Sequence, residues 1–428
     1  MKKSLFILPL IALLAACGTS GSGKKGDGEK GQDIPKEVDI LESRESFVQA
    51  AGSIKTVMDA IGSKKVAHLK GEVSGGNLEL VAHAVQAVEE EGAQADRFDV
   101  DLKVKNVAGK LDAAVTGFKL DGTEFSTADL KAYVKLSGMG ANLDLSYRLP
   151  DVLYEKDEEE VYYNSFANYV EQSGRVTFNE SGIGAAAYLT ENDVYVDVSD
   201  AKIYKVLDAI LNSGVIKLFP AQEEPWSSMA LIGGFIEGFT GKVGVQDIVP
   251  VETGLKGELP EFNPEELITE ESFASVKETL APYLEMFGVK TYTYGASSKY
   301  SYGIEVNLNK TVVENLAAMF LAEQLEGHSL DELLAVYGVE LKKIDNKLSF
   351  KLGRDGSVEL ACSLDNEVTM DVPAEVAQGV MSMQSLSGSL KVSGQSSVSL
   401  SFDDSFDALP DFAGYQDLTD LVGALIGQ

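Results

Sequence analysis

Between Phe98 and Val104 the apolar residues Phe98, Val100, Leu102 and Val104 alternate with Asp99, Asp101 and Lys103. A period of two places one set on each side of an extended chain, so this stretch reads as a strand with one dry and one wet face. The alternation recurs at Leu143, Leu145 and Tyr147, at Val194, Val196 and Val198, through residues 339–372, and near residues 388–394 and 397–402. Such a chain builds antiparallel sheet and then needs something to cover the dry side. Within 339–372, Asp-Asn and Asp-Gly pairs predict turns between short strands.

Amphipathic helices are the natural cover. Residues 39–47 read DILESRESF and residues 265–273 read EELITEESF, sharing Leu-x-(Ser/Thr)-x-Glu-Ser-Phe. Beyond each copy an apolar stripe follows at helical spacing: Phe47, Ala50, Ile54, Val57, Met58 and Ile61, then Phe273, Val276, Leu280, Tyr283, Leu284 and Phe287. Every pair is 226 apart, as 273 − 47 shows, and Gly62 and Gly288 are expected to end the two helices in left-handed caps. Two unrelated amphipathic helices of similar length remain the alternative. The duplication predicts an α+β protein of two similar domains, residues 37–213 and 263–428, each a curved antiparallel sheet packed against helices. Helices are also predicted over 310–326 and over 329–337, the latter opened by a Ser329/Glu332 capping box, and after Ser199 or Asp200.

The N-terminus, MKKSLFILPLIALLAAC, has two lysines, an apolar run from Leu5 to Leu14 and small residues before a cysteine. This is an export signal, with residues 1–16 removed, and its run is too short to span a bilayer. Leu14-Ala15-Ala16-Cys17 resembles the lipobox of bacterial lipoproteins. That resemblance implies a diacylglyceryl group on Cys17, which becomes the mature N-terminus and holds the protein on the cell membrane or outer membrane, with its body outside the cytoplasm. A secretory signal with an incidental Cys17 is the other reading. Residues 17–36, rich in Gly, Ser and charge, read as a flexible tether. Within them Gly18 to Lys25 is a near-miss of a phosphate-binding loop with no strand before it, and carries no expected function. With export, anchorage and a helix-then-meander order together, the chain looks like the half-barrel domains of the LolA/LppX-type lipoproteins. The resemblance implies curved sheets wrapped around helices, some carrying lipid or lipoprotein in the concave face.

Residues 214–262 form an apolar connector. Its Trp226, Met229, Leu231, Ile232, Phe235 and Phe239 suit either a lid over a ligand cavity or a helix packed between domains. A hairpin of residues 290–303 is expected to bring Tyr292 and Tyr294 beside Tyr300 and Tyr302, which suits a lipid headgroup, a glycan or a partner, or plain cross-strand packing.

Little else points to chemistry. His68, His83 and His328 share no metal-ligand spacing, and Cys362 sits in strand alternation with Leu360 and Leu364 as a small hydrophobe. Glu155, Asp157, Glu158, Glu159 and Glu160 lack the ordered spacing of a calcium loop and read as a solvated turn. No nucleophile elbow, metalloprotease helix or dinucleotide turn occurs. The formal charge is −31, or about −33 without Lys2 and Lys3, which disfavours nucleic acid as a partner. The sequence therefore predicts a non-catalytic, cofactor-free envelope lipoprotein that binds an apolar or amphipathic ligand such as lipid. The alternative is a surface interaction or scaffold protein.

Overall fold

The computed structural model describes residues 35–86, 97–118, 121–149, 172–202, 240–249, 252–258, 261–321, 325, 327–381 and 383–420. The expected two domains are replaced by one continuous sheet. Its strands are β1 (Lys36–Val38), β2 (Val66–Gln86), β3 (Arg97–Thr116), β5 (Lys131–Leu149), β6 (Gln172–Leu189), β7 (Val194–Asp197), β8 (Lys242–Val245), β10 (Lys290–Thr293), β11 (Tyr300–Asn309), β12 (Val339–Gly353), β13 (Val358–Val372), β14 (Met383–Asp403) and β15 (Gln416–Asp417). They lie in the order β1-β10-β11-β12-β13-β14-β2-β3-β5-β6-β7-β8-β15, antiparallel except for β15 beside β8. A separate ribbon pairs β4 (Asp121–Ser126) with β9 (Glu252–Glu258).

The two-domain expectation fails for a physical reason. The last long strand, β14, finds its free-edge partner in the first half, pairing with β2 from Met383↔Gln86 to Asp403↔Val66. Each half is also closed by chain from the other. Helix α1 (Arg44–Ser63) lies on second-half strands, with Ser53 Oγ 3.2 Å from Ser301 Oγ. Gly356, at φ +81°, turns under this helix where a Cβ would sit 2.3 Å from that of Ala60. In return, the C-terminal strap of residues 404–420 closes over first-half strands, placing Phe406, Leu409, Phe412 and Tyr415 on Val66, Tyr133, Tyr188 and Tyr195.

The duplicated motif has a structural meaning. Ser43 and Thr269 are the N-caps of α1 and of α3 (Glu270–Met286), their hydroxyls accepting from the amides of Ser46 and Ser272. The two helix starts dock on each other: Phe47 and Phe273 have ring centroids 5.9 Å apart. The Arg44 guanidinium donates to the carbonyls of Ile268 at 2.5 Å and Glu265 at 2.8 Å at the end of the one-turn α2 (Pro264–Leu267). Gly288 takes the left-handed φ of +56° expected of it, whereas Gly62 lies inside α1, which runs on to Ser63. Ile54 and Tyr283, both assigned to the buried stripes, are 49% and 50% exposed.

Further helices among the described residues are α4 (Lys310–Phe320), α5 (Leu330–Val336), which has the expected Ser329/Glu332 capping box, and α6 (Ala374–Met381). Helices α4 and α5 bury Val313, Ala317, Leu330 and Leu334 against Val339, Leu341, Ile344 and Val368 of β12 and β13. The Asp-Asn pairs expected to turn do not: Asp345 and Asp365 face each other inside two 15-residue strands, and only the Asp355-Gly356 turn forms. The ladder hydrogen bonds of two flanking strands outweigh the local turn preference of Asp-Asn.

Five strands are unusually long, 21, 20, 19, 18 and 21 residues for β2, β3, β5, β6 and β14. A row of β-bulges crosses them, at Val73–Leu78, Lys105–Lys110, Leu136–Ala141 and Ser393–Gln395. Gly75, Asn106, Gly138 and Gly182 there have φ of +63°, +56°, +60° and +69°, the left-handed conformation such bulges use.

Candidate functional site

Register assigns every strand residue to one of two faces. β14 pairs with β13 without a break, so its even-numbered positions, from Leu386 to Leu400, mark one side throughout. Carried across the ladder, that side takes Leu69, Val73, Leu78 and Leu80 on β2, and Val100, Leu102, Val104, Leu111, Ala113 and Val115 on β3. It continues through Val134, Leu136, Leu143 and Leu145 on β5, Ala185 and Ala187 on β6, Val194 and Val196 on β7, and Val243 and Val245 on β8. In the other direction it takes Leu360, Cys362 and Leu364 on β13, Ile344, Leu348 and Phe350 on β12, and Ile304 and Val306 on β11. The result is an aliphatic face shared by ten strands. Its one charged side chain in the described register is Glu180, at the crease, paired with Lys202 Nζ at 3.1 Å.

Among the described elements, only part of this face is covered. Helices α4 and α5 roof it only at the Val339, Leu341 and Ile344 end of β12 and at Val368 on β13. No described helix makes more than marginal contact with β2, β3, β5, β6, β7 or β8. Large hydrophobic side chains exposed from strands are Leu69, Phe98, Val134, Leu136, Val196, Val245, Leu348 and Leu360, and by register all eight lie on this one face. Leu136 is 37% exposed and Val134 44%. Folded monomers seldom leave a contiguous apolar surface open on this scale, and where they do it serves an interaction.

The opposite face is polar along most of its length, with ion pairs such as Arg175–Asp144 at 2.6 Å, Lys391–Glu367 at 3.1 Å and Lys105–Glu79 at 3.1 Å. The Arg175 guanidinium holds the Asp144 carboxyl below its ordinary range. At one end of the strands the same face carries tyrosines, and there the C-terminal strap packs. Phe412 stacks on Tyr195 at 3.9 Å, and the Tyr133 hydroxyl donates to Asp407 Oδ2 at 2.9 Å. Burial, with Asp197 nearby, pushes the Tyr415 phenol up to about 12.

The expected tyrosine quartet is a trio. A bulge between Tyr300 and Tyr302 in the β11–β12 ladder turns Tyr302 onto the aliphatic side, where it is 5% exposed opposite Leu352. Tyr292, Tyr294 and Tyr300 stay together on the polar side. Tyr294 and Tyr300 have ring centroids 5.5 Å apart, with Lys299 Nζ 4.6 Å and Lys351 Nζ 4.9 Å from the Tyr300 ring. The Tyr300 hydroxyl donates to Glu359. Burial raises Glu359, but the Tyr300 bond and the Lys351 ammonium outweigh it and hold the carboxyl below its ordinary range.

Cys17, Trp226, Met229, Leu231, Ile232, Phe235, Phe239 and the acidic run 155–160 lie outside the described residues. His68 is buried, with Nε2 3.2 Å from Asp403 Oδ1, while His83 faces Asp99 on the polar side at 2.8 Å. Among the described residues no group of three or more His, Cys, Asp or Glu is placed to hold a metal ion, and no helix is long and apolar enough to cross a membrane. A cleft of about 850 Å³ between α1 and α2 is lined by Arg44, Glu45, Val48, Gln49, Lys55 and Pro264, among others.

The fold and the face together define a sheet-dominated protein with one aliphatic and one polar surface. Neither the protein-family models nor the curated proteins contain a match to this chain.

Proposed function

We propose that the chain is a lipid-anchored envelope protein, non-catalytic, that binds an apolar or amphipathic ligand such as a lipid on the open aliphatic face. The observation that carries this reading is the face itself: aliphatic side chains in register across ten strands, with eight large ones held open to solvent. Water against such a surface costs roughly 25 cal/mol per Å², so an acyl chain laid on it is stabilised in proportion to the area it covers. A mainly aliphatic surface with few polar groups selects for chain length and apolar area rather than for a particular headgroup. The lipobox motif at Leu14–Cys17 supplies the anchor in this reading and places the body where such ligands are found.

Mass spectrometry of organic extracts of the purified protein tests the proposal. One or more lipids at near-stoichiometric amounts are expected, from more than one expression host. Extracts without lipid from every host would move the reading to the scaffold alternative, for which the Tyr292–Tyr294–Tyr300 trio is the main support. Replacing Cys17 with serine tests anchorage separately, because it is expected to release the protein from membranes.

A further inference from the structure

The strand nearest the tether is also the edge of the sheet. β1 pairs with β10 through Lys36↔Thr293, Glu37↔Tyr292 and Val38↔Thr291, so the chain enters the fold one strand from the tyrosine trio. Residues 18 to 34 separate Cys17 from that edge. Seventeen residues reach at most about 60 Å at full extension. Whatever surface holds Cys17 is therefore within reach of the trio.

We infer that this edge, with Tyr292, Tyr294 and Tyr300 at its centre, rests on the headgroup layer of the membrane that holds the anchor, with a preference for anionic lipid. The inference rests on the anchorage part of the proposed function and is independent of ligand binding on the aliphatic face. Three observations carry it. First, half-buried tyrosines flanked by lysines form the amphipathic surface that suits a membrane–water interface, with rings at the headgroup level and ammonium groups reaching phosphates. Second, the patch is already rigid: the Arg354 guanidinium donates to the carbonyls of Tyr294 at 3.0 Å, Gly295 at 3.0 Å and Ser298 at 3.2 Å, so docking orders little additional chain.

Third, the local charge opposes that of the whole chain. Around the trio lie Lys290, Lys299, Lys347, Lys351 and Arg354 against Glu37, Glu305, Asp355 and Glu359, five cations less four anions or +1, on a chain of formal charge −31. Screening over about 8 Å at physiological salt leaves this local excess, rather than the distant acidic surface, to meet the lipid phosphates.

The test uses the lipidated full chain in phosphatidylcholine vesicles and in vesicles with about one-third phosphatidylglycerol, both doped with a headgroup-spin-labelled lipid. Single-cysteine forms in a Cys362→Ser background carry a fluorophore at Ala296→Cys, in the loop beside the trio, or at Asn192→Cys, in the turn between β6 and β7. Vesicle flotation first establishes anchorage. The expected result is several-fold stronger quenching at position 296 than at 192, larger with phosphatidylglycerol and reduced by 0.5 M salt or by Lys290→Glu with Lys299→Glu. Flotation with quenching at 192 equal to or above that at 296 would overturn the inference while leaving anchorage intact. Failure to float would remove the anchor, and the inference with it.

Discussion

Leu341 on β12 and Leu136 on β5 project from the same side of one sheet, yet the first is 4% exposed and the second 37%. The covered region follows the ordinary rule, with α4 and α5 supplying Val313, Ala317, Leu330 and Leu334 to close the core. The open region is just as aliphatic, but among the described elements its own cover lies on the wrong side: the C-terminal strap packs on the polar face over Tyr133, Tyr188 and Tyr195. The difference teaches that hydrophobic patterning alone does not identify a core. In one part of this sheet it marks packing, and in the other it marks a surface that the described elements leave exposed.

A charge placed in each region separates them most strongly. Val368→Asp buries an unpaired carboxylate under α4 and α5 and is expected to cost about 4 kcal/mol or more, enough to unfold the protein, whereas Leu136→Asp is expected to change urea stability by less than about 1 kcal/mol while removing copurifying lipid. Equal damage from both would mean that the open region is a core after all. Truncation gives a smaller contrast. Leu334→Ala should cost about 2 to 5 kcal/mol, and Leu69→Ala under about 1 kcal/mol, by denaturant unfolding.

The crease offers a still smaller effect confined to the open region. Gly138 sits at φ +60° with nothing within 4 Å of an added Cβ, so Gly138→Ala should cost about 1 kcal/mol through backbone strain alone and raise hydrogen exchange in β5 and β6 without altering α4 or α5. The slightest effect is on pH dependence. Because the folded Tyr415 pKa is raised to about 12 from an ordinary 10, its contribution is intact below pH 10 and is lost as pH rises from 10 towards 12. Alkaline titration followed by hydrogen exchange should therefore loosen residues 404–420 before α4 and α5; the reverse order would contradict the strap assignment.

Much of the fold was legible in local pattern and little of it in global arrangement. The alternation from Phe98 to Val104, the Ser329 capping box and the Gly288 cap all correspond to elements seen. The 226-residue repeat was read as one helix per domain, but Ser43 and Thr269 cap helices that dock on each other, and the pairing of β14 with β2 has no local signature. The open face was hidden by its own bulges. On β5 the inward residues are Ala132, Val134 and Leu136 before Gly138, then Leu143, Leu145 and Tyr147 after it, so the even-odd phase flips in mid-strand and one long strand reads as two. A signal was present in Ser137-Gly138-Met139-Gly140-Ala141 and Ser181-Gly182-Ile183-Gly184-Ala185, the same pattern at the same height on paired strands. The tyrosine quartet fails for the same cause, a single bulge at residues 300–302 that sends Tyr302 to the other face.

Cys362 gives the most direct test of the open face as a binding surface. It lies on that face, in register between Leu348 and Ser396, half-buried, and it is the sole thiol once the sulfur of Cys17 is lipidated or removed. The alkylation rate of Cys362 is measured on delipidated protein, then with a two-chain phospholipid added at ten times its dissociation constant. With nine-tenths or more of the face occupied, the rate should fall about tenfold and recover on delipidation. An unchanged rate at saturating lipid, with the fold intact, would contradict the assignment of this face as the ligand site.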